Sequence, residues 1–162
     1  MSEAIDPRVR NAAIAMTACL VPMFWGVIAR EWFTAGHDSV GLAGIEQCHL
    51  FCELKVWNDL DAPIEIRILG LSAFLSGLNA FALAVHGIVM LLKGKAEKIR
   101  FKWIVWLSII TAGLCIGFLL RMMLGSDGSH LTLRYPGFLA IAGSIAIVPV
   151  LYKLVAPLRL ST

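Results

Sequence analysis

The stretch ILGLSAFLSGLNAFALAVHGIVMLL, residues 68–92, runs from end to end without an Asp, Glu, Lys or Arg. A helix needs about 20 consecutive apolar residues to cross the hydrocarbon layer of a bilayer, and this run exceeds that. Three further blocks resemble it, at 12–29, 103–124 and 138–156. Of the 162 residues, 59% are hydrophobic and 15% charged, against about 45–50% and about 25% in a typical soluble domain. A soluble chain this short could not hide so much apolar surface. In lipid a helix satisfies its own backbone hydrogen bonds, and the alternating pattern of a membrane barrel is absent. The expected fold class is therefore all-α membrane: one domain over 1–162, built as a four-transmembrane-helix bundle.

The flanking charges set an orientation. The N-terminus carries Arg8 and Arg10, the connection between the second and third blocks carries Lys93, Lys95, Lys98, Arg100 and Lys102, and the C-terminus adds Lys153 and Arg159. The connection 31–66 is acidic, with Glu31, Asp38, Glu46, Glu53, Asp59, Asp61 and Glu65 against Lys55 inside it and Arg30 and Arg67 at its ends. Positive loops stay in the cytoplasm. A multi-pass protein of the cell membrane is thus expected, with both termini cytoplasmic and 31–66 extracytoplasmic. The net charge of +3 is topological and points to no nucleic acid. The polar start MSEAIDPRVR has no small-residue cleavage pattern after the first block, so that block reads as a retained helix.

Within the acidic loop lies GIEQCHLFCELKVW, residues 44–57. Cys48 and Cys52 admit three readings: a structural disulfide, a zinc site with His49 and His37, or a redox pair. Disulfides persist outside the cytoplasm, and closing so small a loop contributes about 2 kcal/mol in the chain-entropy model. A Cys48–Cys52 disulfide is the expectation. The intervening His49-Leu50-Phe51 lacks the glycine or asparagine of a three-residue hairpin turn, so helical spacing or a distorted turn could carry the pair. Cys19 and Cys115 fall inside spans and read as packing thiols. SVGLAGIEQ and CELKVW can form short extended segments, enough for a small sheet on the helix ends. Pro63 suits the first turn of the second helix.

The spans carry few chemical groups. His86 has no second histidine beside it for a bis-histidine haem, Arg121 can snorkel to an interface, and no span holds an Asp or Glu for proton or cation transfer. Packing signals are plainer. Ser72, Ser76, Ala80 and Ala84 recur at four-residue spacing, Gly113 and Gly117 form a GxxxG, and Ala140 and Ser144 repeat the spacing. Small residues let helices approach closely in lipid. Trp25, Trp32, Trp103, Trp106, Tyr135 and Tyr152 are placed as an interfacial aromatic belt.

Four spans, cytoplasmic termini and a structured first outer loop resemble the claudin superfamily. The residues carrying the likeness are Trp32, Gly41-Leu42 and the pair Cys48 and Cys52, with KVWNDLDAPIEIRIL (55–69), AEKIRFKW (96–103) and AGLC (112–115). The resemblance implies a cysteine pair joining two strands of a small sheet. The chain departs from that pattern at Ala43, where the family has a second tryptophan, in the three residues between its cysteines, and in the ending PLRLST. The expected role is non-enzymatic: a claudin-like adhesion or structural element, or an accessory subunit of a larger membrane complex. No catalytic residue, metal or cofactor is assigned. The expected partners are the lipid bilayer and other membrane subunits or a second copy. Contact is assigned to Trp32, Phe33, Leu50, Phe51 and Trp57, because so small a loop cannot bury all its apolar residues. Two alternatives remain: a cofactor- or quinone-associated subunit of an electron-transfer complex, and a thiol oxidoreductase resembling the DsbB family. The loop GSDGSHLTLRYPG, 125–137, holds no second cysteine pair for the latter.

Overall fold

The computed structural model describes residues 6–48, 52–57, 63–125 and 131–160. Helix α1 (Pro7–Ile28) starts where a sequence signal places it: the Asp6 side chain accepts from the Arg8 N–H at 2.8 Å, and Pro7 occupies the first helical position. Helix α2 (Ile64–Leu92) follows Pro63, α3 (Phe101–Gly125) follows a short 3-10 turn at Ala96–Lys98, and α4 spans Pro136–Val150. Beyond Pro149 the last helix widens into a π-helical stretch, Leu151–Val155, and ends as α5 (Ala156–Leu160). The four helical runs, the last counted as Pro136–Arg159, are long and apolar enough to cross a membrane. They overrun the expected blocks by a few residues at several ends, because Arg8, Arg10, Glu65 and Arg67 continue the helices toward water.

The helices form a ring of antiparallel neighbours, α1 against α2 and α4, and α3 against α2 and α4. On α2 and α4 the buried line is mostly of small residues, while α1 and α3 bury larger ones such as Met16, Leu20, Met23, Ile104 and Phe118. The buried line of α2 is Gly70, Ala73, Gly77, Ala80, Ala84, Gly87 and Leu91, and that of α4 includes Gly137, Ala140, Gly143 and Ser144. Large side chains such as Ile14, Leu75, Ile109, Leu120 and Ile145 point outward. Small residues at the α2 and α4 contacts, with large apolar ones facing outward, suit close helix packing in lipid. The structure is that of a multi-pass membrane protein.

Four short strands fill the connection between α1 and α2: β1 (Phe33–Ala35), β2 (Asp38–Val40), β3 (Gly44–Cys48) and β4 (Cys52–Val56). A fifth, β5 (Thr132–Leu133), comes from the connection between α3 and α4. All pairings are antiparallel, in the order β4-β3-β2-β1-β5. The β1–β2 hairpin turns at Gly36-His37, where Gly36 has φ 63° and, among the described residues, no non-glycine residue has positive φ. That is the pattern of a type II′ turn, with glycine at the first central position. The loop was expected to yield a small sheet; the contribution of β5 was not.

Two helix-packing expectations are corrected. Gly113 is exposed with open space around it, and a Cβ on Gly117 would meet Leu69 at an ordinary 3.5 Å. Their GxxxG is not a close-approach site, because α3 turns Ser108, Thr111, Ala112, Cys115 and Phe118 inward instead. On α2, Ala80 and Ala84 are buried, whereas Ser72 and Ser76 lie half-buried beside the line, Ser76 still reaching α3 through Thr111. Steps of four residues overshoot a 3.6-residue turn by about 40° each, so a strict four-residue stripe drifts off the face. The close approaches are between α1 and α4. A Cβ on Gly26 would collide with the backbone of Ala140 and Pro136, and one on Gly143 would lie 2.6 Å from the Met23 nitrogen.

Candidate partner-binding surface

The sheet is joined to the bundle by two tryptophans. Trp32, directly before β1, donates its indole N–H to the Gly26 carbonyl at the end of α1, at 2.7 Å. Trp57, directly after β4, donates its own to the Leu42 carbonyl, also at 2.7 Å. Both rings meet Phe118 of α3 edge-on, with centroids 5.7 and 6.0 Å away. Glycines make the room: a Cβ on Gly137 would lie 3.0 Å from the Trp32 ring, and one on Gly70 would lie 2.6 Å from the Trp57 indole nitrogen. Trp32, Phe33, Leu42 and Trp57 are at most 1% exposed, in one cluster with Val27, Val40, Ala73, Cys115, Phe118 and Ala140.

This corrects the assignment of Trp32, Phe33 and Trp57 as contact residues. A buried indole is stable only when its N–H finds a partner, and backbone carbonyls supply one in each case. The loop disposes of its apolar residues by lying on the helix ends, so the bundle completes its core. Trp32 also leaves the aromatic belt, while Trp25, Trp103, Trp106, Tyr135 and Tyr152 are exposed as expected of it. Leu50 and Phe51 lie outside the described residues.

Cys48 and Cys52 are joined by a disulfide. They face each other across the β3–β4 pair, with Cα atoms 4.1 Å apart. Strand pairing carries the bridge, not helical spacing. The Cys48 N–H also donates to the Asp38 side chain of β2 at 3.2 Å, which ties the hairpin to its neighbour. Cys19 and Cys115 are free.

The remaining surface at this end has two parts. The first is β4, the outer strand of the sheet, where Cys52, Glu53 and Val56 are exposed and the only pairing among the described residues is with β3. The second is a groove of about 410 Å³ lined by Trp25, Ile28, Arg30, Glu31, Glu46 and Tyr135, among others. Arg30 and Glu46 form an ion pair across it at 2.9 Å, with Ser39 3.5 Å from the second carboxylate oxygen. On the far side of the sheet, Arg134 donates from its backbone to the Trp32 carbonyl at 2.8 Å and from its side chain to Thr34 at 3.3 Å. The groove draws on separate segments of chain, so no local motif marks it. The hints in sequence were the belt aromatics Trp25 and Tyr135.

Other residues singled out stand apart from this surface. His86 is exposed on α2. Thr111 lies 3.1 Å from the Ser76 hydroxyl and 2.7 Å from the Leu107 carbonyl, a polar link between α2 and α3. Among the described residues no three His, Cys, Asp or Glu side chains gather as a metal site would require. Comparison with protein-family models, curated proteins and solved structures finds no match to this chain.

Proposed function

We propose that this four-span protein is non-enzymatic and acts through its sheet, as a claudin-like adhesion or structural element or as an accessory subunit of a larger membrane complex. The observation that carries the reading is the outer edge of β4, which pairs with no second strand among the described residues, in a sheet anchored to the bundle by Trp32 and Trp57. An unpaired strand edge offers a row of backbone donors and acceptors to a partner. The disulfide at one end of β4 and the seated Trp57 at the other hold that edge in place before binding, which lowers the ordering cost of association. The claudin resemblance supports the same reading: four spans, and a cysteine pair on adjacent strands of the first connection. In this reading the sheet is extracytoplasmic and the partner is another membrane subunit or a second copy.

Replacing Val56 with Asp, or Phe51 with Ser, should abolish association while the chain still inserts and stays monodisperse in detergent. His86→Ala should leave association intact. Association that survives the sheet changes, together with a chromophore or electron-transfer activity lost in His86→Ala, would overturn this reading in favour of an electron-transfer subunit.

A further inference from the structure

At the end of the bundle opposite the sheet, a groove of about 320 Å³ opens between the first turns of α1 and the end of the fourth helical run. It is lined by Arg8, Asn11, Lys153, Leu154, Pro157 and Leu158. Arg8 and Asn11 lie three residues apart on one face of α1. Lys153 and Pro157, like Leu154 and Leu158, lie four apart on the opposite wall, spacings that put side chains on a common helix face. Both cations are exposed, and neither forms an ion pair among the described residues, where the ion pair is Arg30–Glu46. Two like charges facing a shared cleft favour an anion between them. Leu154, Pro157 and Leu158 add an apolar wall beside the two cations, which a fully hydrated small anion would not use.

The position narrows the ligand further. Arg8 is the second residue of one membrane-length helix, and Lys153 lies in the last two turns of another. In a bilayer crossed by these helices, positions so near the helix ends fall toward the headgroup layer. Lys153 falls within the π-helical stretch, a wider turn than α geometry and one that recurs at functional sites. We infer that this groove holds one anionic glycerophospholipid, with its phosphodiester between Arg8 and Lys153. The Asn11 carboxamide donates to the headgroup, and the first part of an acyl chain lies along Leu154 and Leu158.

The test is native mass spectrometry of the full chain titrated with dioleoyl phosphatidylglycerol or dioleoyl phosphatidylcholine. Phosphatidylglycerol should be retained in preference, one per chain. The pair Arg8→Gln/Lys153→Gln should weaken its retention about tenfold or more, given the usual worth of two cations at a lipid surface. The pair Lys95→Gln/Lys98→Gln removes equal charge at the same end outside the groove and should change little. Equal retention of phosphatidylcholine, an equal loss in the second pair, or displacement by inorganic phosphate would each overturn the site. A photoreactive phosphatidylglycerol provides a check on unmutated protein. It should label peptides around 8–11 and 153–158, and labelling spread evenly over the four helices would count against the inference.

Discussion

Gly143 and Gly113 are the same residue type in the same kind of helix, yet the bundle uses them in opposite ways. A Cβ on Gly143 would meet backbone atoms of Cys19 and Met23 at 2.6–2.7 Å, and neither can move without shifting α1. A Cβ on Gly113 would meet nothing within 4 Å. Gly143→Ala should therefore destabilise the protein by about 1–3 kcal/mol, the usual cost of overpacking a close contact. Gly113→Ala should leave stability unchanged. Thermal unfolding of both variants in one detergent decides it, and a matched loss in the two would show that the α1–α4 approach does not depend on Gly143. The tryptophans divide in a similar way. Trp25 faces outward at the groove, whereas Trp32 is sealed beneath the sheet by the Gly26 carbonyl, the Phe118 edge and the close approach of Gly137. Position in the chain places Trp25 in a span and Trp32 in the loop, but does not give the burial of Trp32.

Among the elements, the β3–β4 hairpin is where local sequence said most. The cysteines are four residues apart, so their pairing involves no distant segment, and a bridge was legible from spacing and expected compartment. Extended segments on both sides were expected too, but His49-Leu50-Phe51 lacks the usual turn residues, so the residues alone left helical spacing or a distorted turn open. The bridge should resist alkylation until a reductant is added. Cys48→Ser/Cys52→Ser should cost the sheet about 2 kcal/mol while the four helices still insert, since the helices bury no part of the bridge. Free thiols in the mature protein, read by peptide mass after alkylation without reduction, would contradict the structural role. Strand β5 is the opposite case. Two residues, Thr132 and Leu133, pair with β1 across about a hundred positions of chain, and so short a strand has no periodicity to detect. Helix orientation failed for a related reason. Four-residue spacing names the small residues on α2, but which of them reach the neighbour depends on the rotation of the whole helix.

For the whole molecule, the charge distribution makes a prediction that the bundle geometry shares. The start of α1, the basic connection and the C-terminal helix gather at one end, around a core that includes Ala96, Ile99, Phe101 and Val155, with Arg159 over the Phe101 ring at 5.7 Å. The sheet occupies the other. The charge rule predicts that this basic end faces the cytoplasm. A single cysteine at position 95, in a chain lacking its native thiols, should be inaccessible to an impermeant reagent in intact cells and react once they are opened. Labelling from outside would invert the orientation and place the sheet in the cytoplasm. The membrane class, the four spans and the cysteine bridge were readable from the chain because each is a property of contiguous residues: a run of apolar side chains long enough for a bilayer, or two thiols within one turn's reach. The inward face of α3, the burial of Trp32, Phe33 and Trp57, the recruitment of β5 and the grooves at both ends came from packing alone. Each depends on how separate helices rotate and tilt against one another, and in lipid that is set by the fit of small residues rather than by hydrophobic periodicity, since both faces of a membrane helix are apolar.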